Sequence, residues 1–492
     1  MTEAGQTCDV VVVGSGMAGL ACACLLARDG KRVTVLEQNW LPGGCSSSYP
    51  RNGYIFESGA TTLVGLDEHM PLRYLLDTLG ISFQPLKLEV PMQVHLADGT
   101  VLTRYPEMEK WVGEAERVFG PTGQRAFWEE CFRLSQKVWR TSLLQKAFPP
   151  SSFSDVLYAA KNVRLEQLGF LTRSFSSVAS LLKKHGLEKN LRFVDFVNQQ
   201  LLITAQNHME EVNVPFGAAA LCYTQYGNYY VPGGFLEMVK PLVTYLEGRG
   251  SEVRLRSPVM RISKVPGGYR VDTERREHRE SFVAERVVCA IPINNALELF
   301  EDDAWKGRLK ARLLDSPKLH SAFQMGLVFK KRKRFDCLHH QIHLASPLPV
   351  TASRSIFLSL SHPDDTQRCG PTEVVASVST HVPDPARCRL EDKAALEAFV
   401  LDTLEQRGFL SKADIVFQHA STPGAWQKWT RRAFGFVGGY PQYLHIKPWQ
   451  MLDARLDKQG AYLAGDSAYP GQGIPGATLS GIIAYEKMRL DG

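Results

Sequence analysis

The stretch that most constrains this chain is Asp9-Val10-Val11-Val12-Val13-Gly14-Ser15-Gly16-Met17-Ala18-Gly19-Leu20. Four consecutive valines form a short apolar run suited to a strand buried on both faces of a parallel sheet. The run breaks into Gly14-x-Gly16-x-x-Gly19, and a helix of small residues is expected from about Met17 to Asp29. A second β-branched run, Arg32 to Leu36, ends in Glu37. A glycine motif between a strand and a helix, with an acidic residue after the next strand, is the context a dinucleotide-binding turn requires. Gly14 permits the tight turn, Gly16 lets backbone approach a pyrophosphate, and Gly19 lets the helix pack closely on the strand. The helix N-terminus supplies free N–H groups and partial positive charge for that anion. Glu37 stands 23 residues after Gly14, where a carboxylate accepts from a ribose hydroxyl and repels a 2′-phosphate. FAD and NAD both satisfy this, and NADP does not.

The next residues bear on that choice. Leu41-Pro42-Gly43-Gly44-Cys45 follows Glu37 closely and puts bare backbone beside the same ligand, and Tyr54-Ile55-Phe56-Glu57-Ser58-Gly59 comes after it. Here the sequence resembles the flavin-dependent carotenoid desaturase and carotene isomerase family, whose bacterial members include phytoene desaturases. In that family an acidic ribose residue leading into a Gly-Gly loop marks FAD.

The carboxyl end carries the other half of the resemblance. Ala461-Tyr462-Leu463-Ala464-Gly465-Asp466-Ser467 reads as a strand running into a Gly-Asp turn. Asp466 can accept from a flavin's ribityl hydroxyls, with Gly465 allowing close approach. The loop through Tyr469-Pro470-Gly471-Gln472-Gly473-Ile474-Pro475-Gly476 then enters a helix that ends near Met488. Its N–H groups can hold a flavin's pyrimidine edge and offset charge on the reduced ring. The segment resembles the family's Gly-Asp-Ser-x-x-Pro-Gly-x-Gly signature. Thr422-Pro423-Gly424-Ala425-Trp426 and Gly435-Phe436-Val437-Gly438-Gly439 also resemble family segments near the flavin. Resemblance further implies that Val259 offers backbone to the adenine. The candidate cofactor-binding residues are therefore Gly14, Ser15, Gly16, Ala18, Gly19, Glu37, Gly43, Gly44, Val259, Gly465, Asp466, Gly473 and Ile474. No catalytic residue is assigned.

At 492 residues the chain exceeds one simple core. The expected fold is α/β: a discontinuous Rossmann-like FAD-binding domain from residues 1–88, 229–297 and 423–492, with a sheet-plus-helix substrate domain from 89–228 and 298–422. Within the latter, Ala97-Asp98-Gly99 is a hairpin signal. From Pro106 to about Leu202 the pattern is helical, with Trp111, Ala115, Val118 and Phe119 spaced as one buried face. The runs Ser321–Phe329, Ile356–Leu360 and Val374–Ser379 read as a sheet walling the substrate cavity.

Charge is unevenly distributed. The net charge is +6, and the window from Arg140 to Arg192 holds nine basic residues against three acidic ones. Leu143, Leu144, Phe148, Phe153, Val156, Leu157, Leu165, Leu168, Phe170, Leu171, Phe175, Leu181 and Leu182 interleave with those cations. Two readings stand: an interfacial helix on an anionic bilayer, or a lid helix with a solvated basic face. The family resemblance favours the membrane. No nucleic-acid module is present. No apolar run reaches the length of a transmembrane helix, and the amino terminus lacks a basic signal-peptide region. The ten scattered cysteines read as buried hydrophobes in a reducing compartment. The expectation is a cytoplasmic protein held peripherally at a membrane. The run Lys330-Lys331-Arg332-Lys333-Arg334 reads as a solvated turn. His339 and His343 share a strand face but stand about 13 Å apart by the usual rise, too far to share a metal.

The resemblance implies an FAD-dependent oxidoreductase (or isomerase) acting on a long apolar polyene, with desaturation by hydride transfer to flavin as the leading activity. The electron acceptor, a quinone or oxygen, is open. Cis–trans isomerisation and polyene saturation use the same motifs. An amine oxidase-like enzyme shares the amino-terminal motif, and a flavin- or polyene-carrying protein without turnover is the reading outside enzymology.

Overall fold

The four valines do what a both-faces-buried strand must. In the computed structural model, which describes residues 6–164, 172–275, 278–301, 305–388, 390 and 393–492, strand Gln6–Val13 lies inside a seven-stranded sheet. Its neighbours are the parallel strands Val33–Leu36 and His278–Cys289. Val10 and Val12 point into a core with helices Met17–Arg28 and Gly473–Leu490. Val11 and Val13 point the other way, into a core with Phe282, Ile293 and Trp305. The period-2 alternation of a strand thus splits one apolar run between two layers. Strand Glu252–Arg254 extends the sheet beyond Val33–Leu36, and Ala461–Leu463 adds in parallel to His278–Cys289. An antiparallel extension, Val259–Val265 and Gly268–Arg275, completes it. Residues from three distant parts of the chain therefore build one sheet.

A second seven-stranded sheet runs Ile415–Ser421, His320–Lys330, Glu373–Pro383, Ser355–Leu360, His339–His343, Met92–His95 and Val101–Arg104. Only the His339–His343 and Met92–His95 pair is parallel. The hairpin expected at Ala97-Asp98-Gly99 joins Met92–His95 to Val101–Arg104. A helical layer packs on that end of the sheet: Met108–Phe119, Gln124–Leu144, Val178–Lys184, Leu191–Ala205 and Val214–Leu221. Trp111, Ala115, Val118 and Phe119 are all buried, as their spacing requires. The helical region runs past Leu202, to Leu221.

Helix Phe153–Asn162 is turned against its composition. Asp155 is fully buried, while Phe153 is 77% exposed and Val156 and Leu157 are about half exposed. The reason lies across the chain. Asp155 accepts from Arg455 Nη1 at 2.6 Å and pairs with Lys487 at 3.4 Å, and Lys487 also pairs with Asp453. A buried carboxylate needs paired cations, so the helix seats its acidic side and leaves its apolar side outside.

Three of the nine cations of the basic window are held in ion pairs with carboxylates from outside it. Glu130 holds Arg173 and Lys184 at 3.1 and 2.6 Å, and Asp98 holds Arg192 at 2.6 Å. Lys183 and Lys189 are exposed, and Leu181 and Leu182 are buried. Leu165, Leu168, Phe170 and Leu171 lie outside the described residues. Among the described residues no helix is long and apolar enough to cross a membrane, and no group of His, Cys, Asp and Glu is arranged to hold a metal ion. The run at Lys330–Arg334 is a turn tied down by Arg332–Asp414 and Arg334–Asp364 ion pairs.

Candidate flavin site and adjoining cavity

Each glycine of the first loop has a distinct steric reason. Gly14 sits at φ +98°, and a Cβ there would stand 2.8 Å from the Ala290 carbonyl. A Cβ on Gly19 would overlap the Gly14 carbonyl, so glycine is what lets helix and strand touch. Gly16 differs: its φ is −64° and a Cβ would meet nothing within 4 Å. That open space lies at the N-terminus of helix Met17–Arg28, where the Leu20 N–H is bonded back to the Gly16 carbonyl. The N–H groups ahead of Leu20 are the ones a helix cannot satisfy itself. Ala18 contributes packing: a Cβ on Gly481 would overlap its carbonyl, which brings helix Gly473–Leu490 against this turn.

Gly43 and Gly44, at φ +102° and +59°, form the facing wall. The Gly43 N–H donates to the Ser15 carbonyl at 3.0 Å. Glu37 is buried beside them and accepts from the Ser15 N–H at 2.9 Å, the Ser15 hydroxyl at 2.7 Å and the Asn39 N–H at 2.9 Å. A carboxylate has about four lone-pair positions, so three donors leave one for a ligand hydroxyl. The Ser257 N–H donates to the Glu37 carbonyl at 2.8 Å, which sets the start of strand Val259–Val265 beside the same end of the cradle. Gly465, at φ +127°, leaves its Cβ position open as well. These vacated positions, the helix terminus and the acidic ribose acceptor fit a flavin dinucleotide.

Asp466 carries a partner that sequence reasoning missed. Arg432 Nη2 donates to Asp466 Oδ2 at 2.8 Å, and its guanidinium lies 4.1 Å from the Phe436 ring centroid. Burial alone lowers the pKa of this guanidinium, but Asp466 outweighs that and raises it. The only signal for Arg432 in the sequence is an arginine placed just ahead of the Phe- and Gly-rich segment.

A cavity of about 470 Å³ adjoins this site. Cys45, Gly438, Gly473 and Ile474 close the end beside the candidate flavin cradle. Gln324, Phe357, Ser377, Ser379 and His381 of the second sheet form its floor, and Val138, Trp139, Ile203, Phe216 and Ala220 of the helical layer form its roof. Among the described residues that line it there is no Asp, Glu, Lys or Arg. His381 is the imidazole in the wall. Burial, reinforced by the neighbouring His320, pushes its pKa down to about 3, so it stays neutral.

A family model described as flavin containing amine oxidoreductase matches residues 17–486. The chain belongs to that family. The chain is similar along almost its whole length to prolycopene isomerase 2 of an Oncidium hybrid cultivar, at 23% identity over 99% of this chain and 85% of that one. It is also similar to the prolycopene isomerase of Arabidopsis thaliana, at 24% identity over 98% of this chain and 83% of that one. A phytoene desaturase of Phycomyces blakesleeanus is 24% identical over 95% and 82% of the two chains. Among solved structures, a wild-type putrescine oxidase bound to putrescine superposes with a TM-score of 0.64 at 18% identity, over 98% of this chain and 99% of that one. The fold is therefore that of the flavin amine oxidases, the cofactor is FAD, and the enzyme is an FAD-dependent oxidoreductase.

The oxidoreductase brings together what the sequence assigned from both ends of the chain. Gly14, Ser15, Gly16, Glu37, Gly43 and Gly44 form one cradle, and Gly473 and Ile474 start the helix that closes the cavity. Trp426, Val437 and Gly438, from the two upstream segments, also reach the cavity.

Proposed function

We propose that this enzyme acts on a long, uncharged polyene of the carotenoid or polyprenoid class, with desaturation as its reaction. The observation that carries this reading is the uncharged wall of the cavity beside the flavin site. A protonated amine entering that cavity would lose its hydration and find no carboxylate, at a cost of several kcal/mol. A hydrocarbon loses nothing polar, and Val138, Trp139, Ile203 and Phe216 offer it dispersion contacts. The bound FAD supplies hydride acceptance. The protein's own part is to hold the chain beside the cofactor, exclude water and remove a proton from the carbon next to the one that gives up hydride.

Such a substrate must be collected from a bilayer. The outward Phe153, Val156 and Leu157, at i, i+3 and i+4 on one helix with exposed Lys161 one turn further, support docking on an anionic membrane surface. Exposed Phe175 packs at a tilt against Trp449, with ring centroids 5.6 Å apart, and neighbouring Pro448 lines the cavity. Docking through this face would put an apolar rim at the cavity's approach.

Similarity to the prolycopene isomerases along nearly the whole chain favours a second reading, cis–trans isomerisation of the same substrate class with no net oxidation. Incubation of carotenoid with the enzyme and pre-reduced flavin under anaerobic conditions separates the two. Desaturation waits for an acceptor, whereas isomerisation proceeds without one. Hydrogen peroxide release with amines, and no conversion of any polyene, would overturn both.

A further inference from the structure

A hydroxyl chain leads from the cavity to a buried imidazole. Thr61 lines the cavity at the flavin-binding end, next to Gly59 and Ala60. Ser359 Oγ donates to Thr61 Oγ1 at 2.8 Å, and His339 Nδ1 lies 2.9 Å from Ser359 Oγ. His339 and Ser359 face each other across adjacent antiparallel strands, so the sheet itself sets their distance. His339 is 1% exposed, and its Nε2 has no hydrogen-bond partner. Its ring is stacked on Phe357, a floor residue, with centroids 6.3 Å apart. An imidazole with one nitrogen left unpaired in a dry site costs stability. The hydroxyl chain gives the remaining nitrogen a path to the cavity.

We propose that Thr61, Ser359 and His339 form a proton relay that carries a proton from the substrate to His339 Nδ1. The inference rests on the polyene-desaturation reading above. A substrate C–H bond breaks and its electron pair becomes the second bond of the new C=C. The proton joins Thr61 Oγ1 as the Thr61 proton passes to Ser359 Oγ and the Ser359 proton to Nδ1. Both hydroxyls rotate about their C–O bonds, so the chain that now points from Ser359 to Thr61 reverses without backbone movement. The reversed chain requires the His339 tautomer that carries its proton on Nε2 and turns the Nδ1 lone pair toward Ser359 Oγ. The hydride lost from the adjacent carbon would go to FAD held in the glycine cradle, and an external acceptor, a quinone or oxygen, would take up the electrons.

The electrostatics suit a base that must be ready yet not retain its proton. Burial, with the positive charge of Arg368 adding to it, pushes the His339 pKa down to about 3. The imidazole is therefore unprotonated at neutral pH and able to accept. A carbon acid next to an electron-deficient polyene is strong enough to protonate it. The resulting cation, buried near Arg368, returns the proton along the same hydroxyls to water once product leaves. Thr61 is the catalytic residue in this scheme, and Ser359 and His339 act through it.

The test uses the FAD-loaded enzyme for turnover and the substrate-free enzyme for nitrogen-15 NMR of labelled histidine, with the His339 signal assigned by its loss in His339→Gln. Thr61→Val and Ser359→Ala should each lower kcat by about 100-fold or more, the usual contribution of a positioned base, with KM and FAD affinity unchanged. Thr61→Ser should restore kcat, and a solvent deuterium isotope effect present in wild type should shrink in Thr61→Val. In the NMR spectrum Ser359→Ala and Thr61→Val should both shift His339 Nδ1. A Thr61→Val enzyme with wild-type kcat, or an Nδ1 signal indifferent to both variants, overturns the relay. Wild-type enzyme that turns over amines and no polyene overturns the substrate reading instead, and the NMR result then decides the relay alone.

Discussion

Replacing Gly16 with valine separates cofactor binding from folding more cleanly than any other change in the first loop. Gly16 has an ordinary negative φ and open space where a Cβ would stand, so the backbone tolerates a side chain there. The space it would fill is the one in front of the helix N–H groups that precede Leu20. Hydrogen bonds to a charged group contribute about 1.5–3 kcal/mol each, so blocking two pyrophosphate contacts costs about 3–6 kcal/mol. At a factor of ten per 1.4 kcal/mol, FAD affinity should fall by at least about 100-fold. Titration of apoprotein with FAD, followed by flavin fluorescence, measures the affinity, and thermal melting of the same apoprotein measures the fold. Gly19→Ala is the contrasting control. Its Cβ would overlap the Gly14 carbonyl, so it should lower apoprotein stability by about 1–3 kcal/mol, as overpacking does. Unchanged FAD affinity in Gly16→Val, or an equal loss of apoprotein stability in both variants, would refute this assignment of the two glycines.

Three further outcomes follow from the site and its supports. Asp466→Ala should lower flavin occupancy and also destabilise the apoprotein by about 3 kcal/mol, because it strips the partner from buried Arg432; flavin titration and apoprotein melting read the two effects separately. Phe153→Asp with Leu157→Asp should release the protein from anionic liposomes in co-sedimentation while the bound flavin's spectrum is unchanged, whereas equal sedimentation would remove this helix from the docking surface. The third concerns acid. Burial raises the Asp155 pKa, but Arg455, the Ser151 N–H and Lys487 outweigh it and bring it down to about 2 from an ordinary value near 3.8. A depressed carboxyl pKa stabilises the fold above its unfolded value and loses that contribution as pH falls through the folded one. Melting temperature should therefore drop between about pH 4 and pH 2 in wild type, and this step should be missing in Asp155→Asn.

The local elements of the candidate nucleotide site were legible in the chain because they answer to local physics. A run of valines buried on both faces, a glycine forced to positive φ at Gly14 and an acid at the end of the next strand have the same consequence in any fold that closes around them. The same holds for Trp111, Ala115, Val118 and Phe119, whose spacing alone puts them on one helix face. What only the tertiary structure decided depends on groups far apart in sequence. The sequence of helix Phe153–Asn162 shows which residues share a face but not which face turns inward. Arg455 and Lys487, some 300 residues away, settled that by burying Asp155. The basic window reads as free charge in the sequence, yet Glu130 and Asp98 pair with three of its cations from another helix and a turn. Arg432 acquires its role only when the chain returns to place Asp466 against it. The hydroxyl chain from Thr61 to His339 spans residues almost 300 positions apart. The uncharged cavity, which carries the substrate reading, exists only where two sheets' loops and a helical layer meet. Backbone preference is written residue by residue, whereas the environment of a side chain is a property of whatever the fold brings beside it.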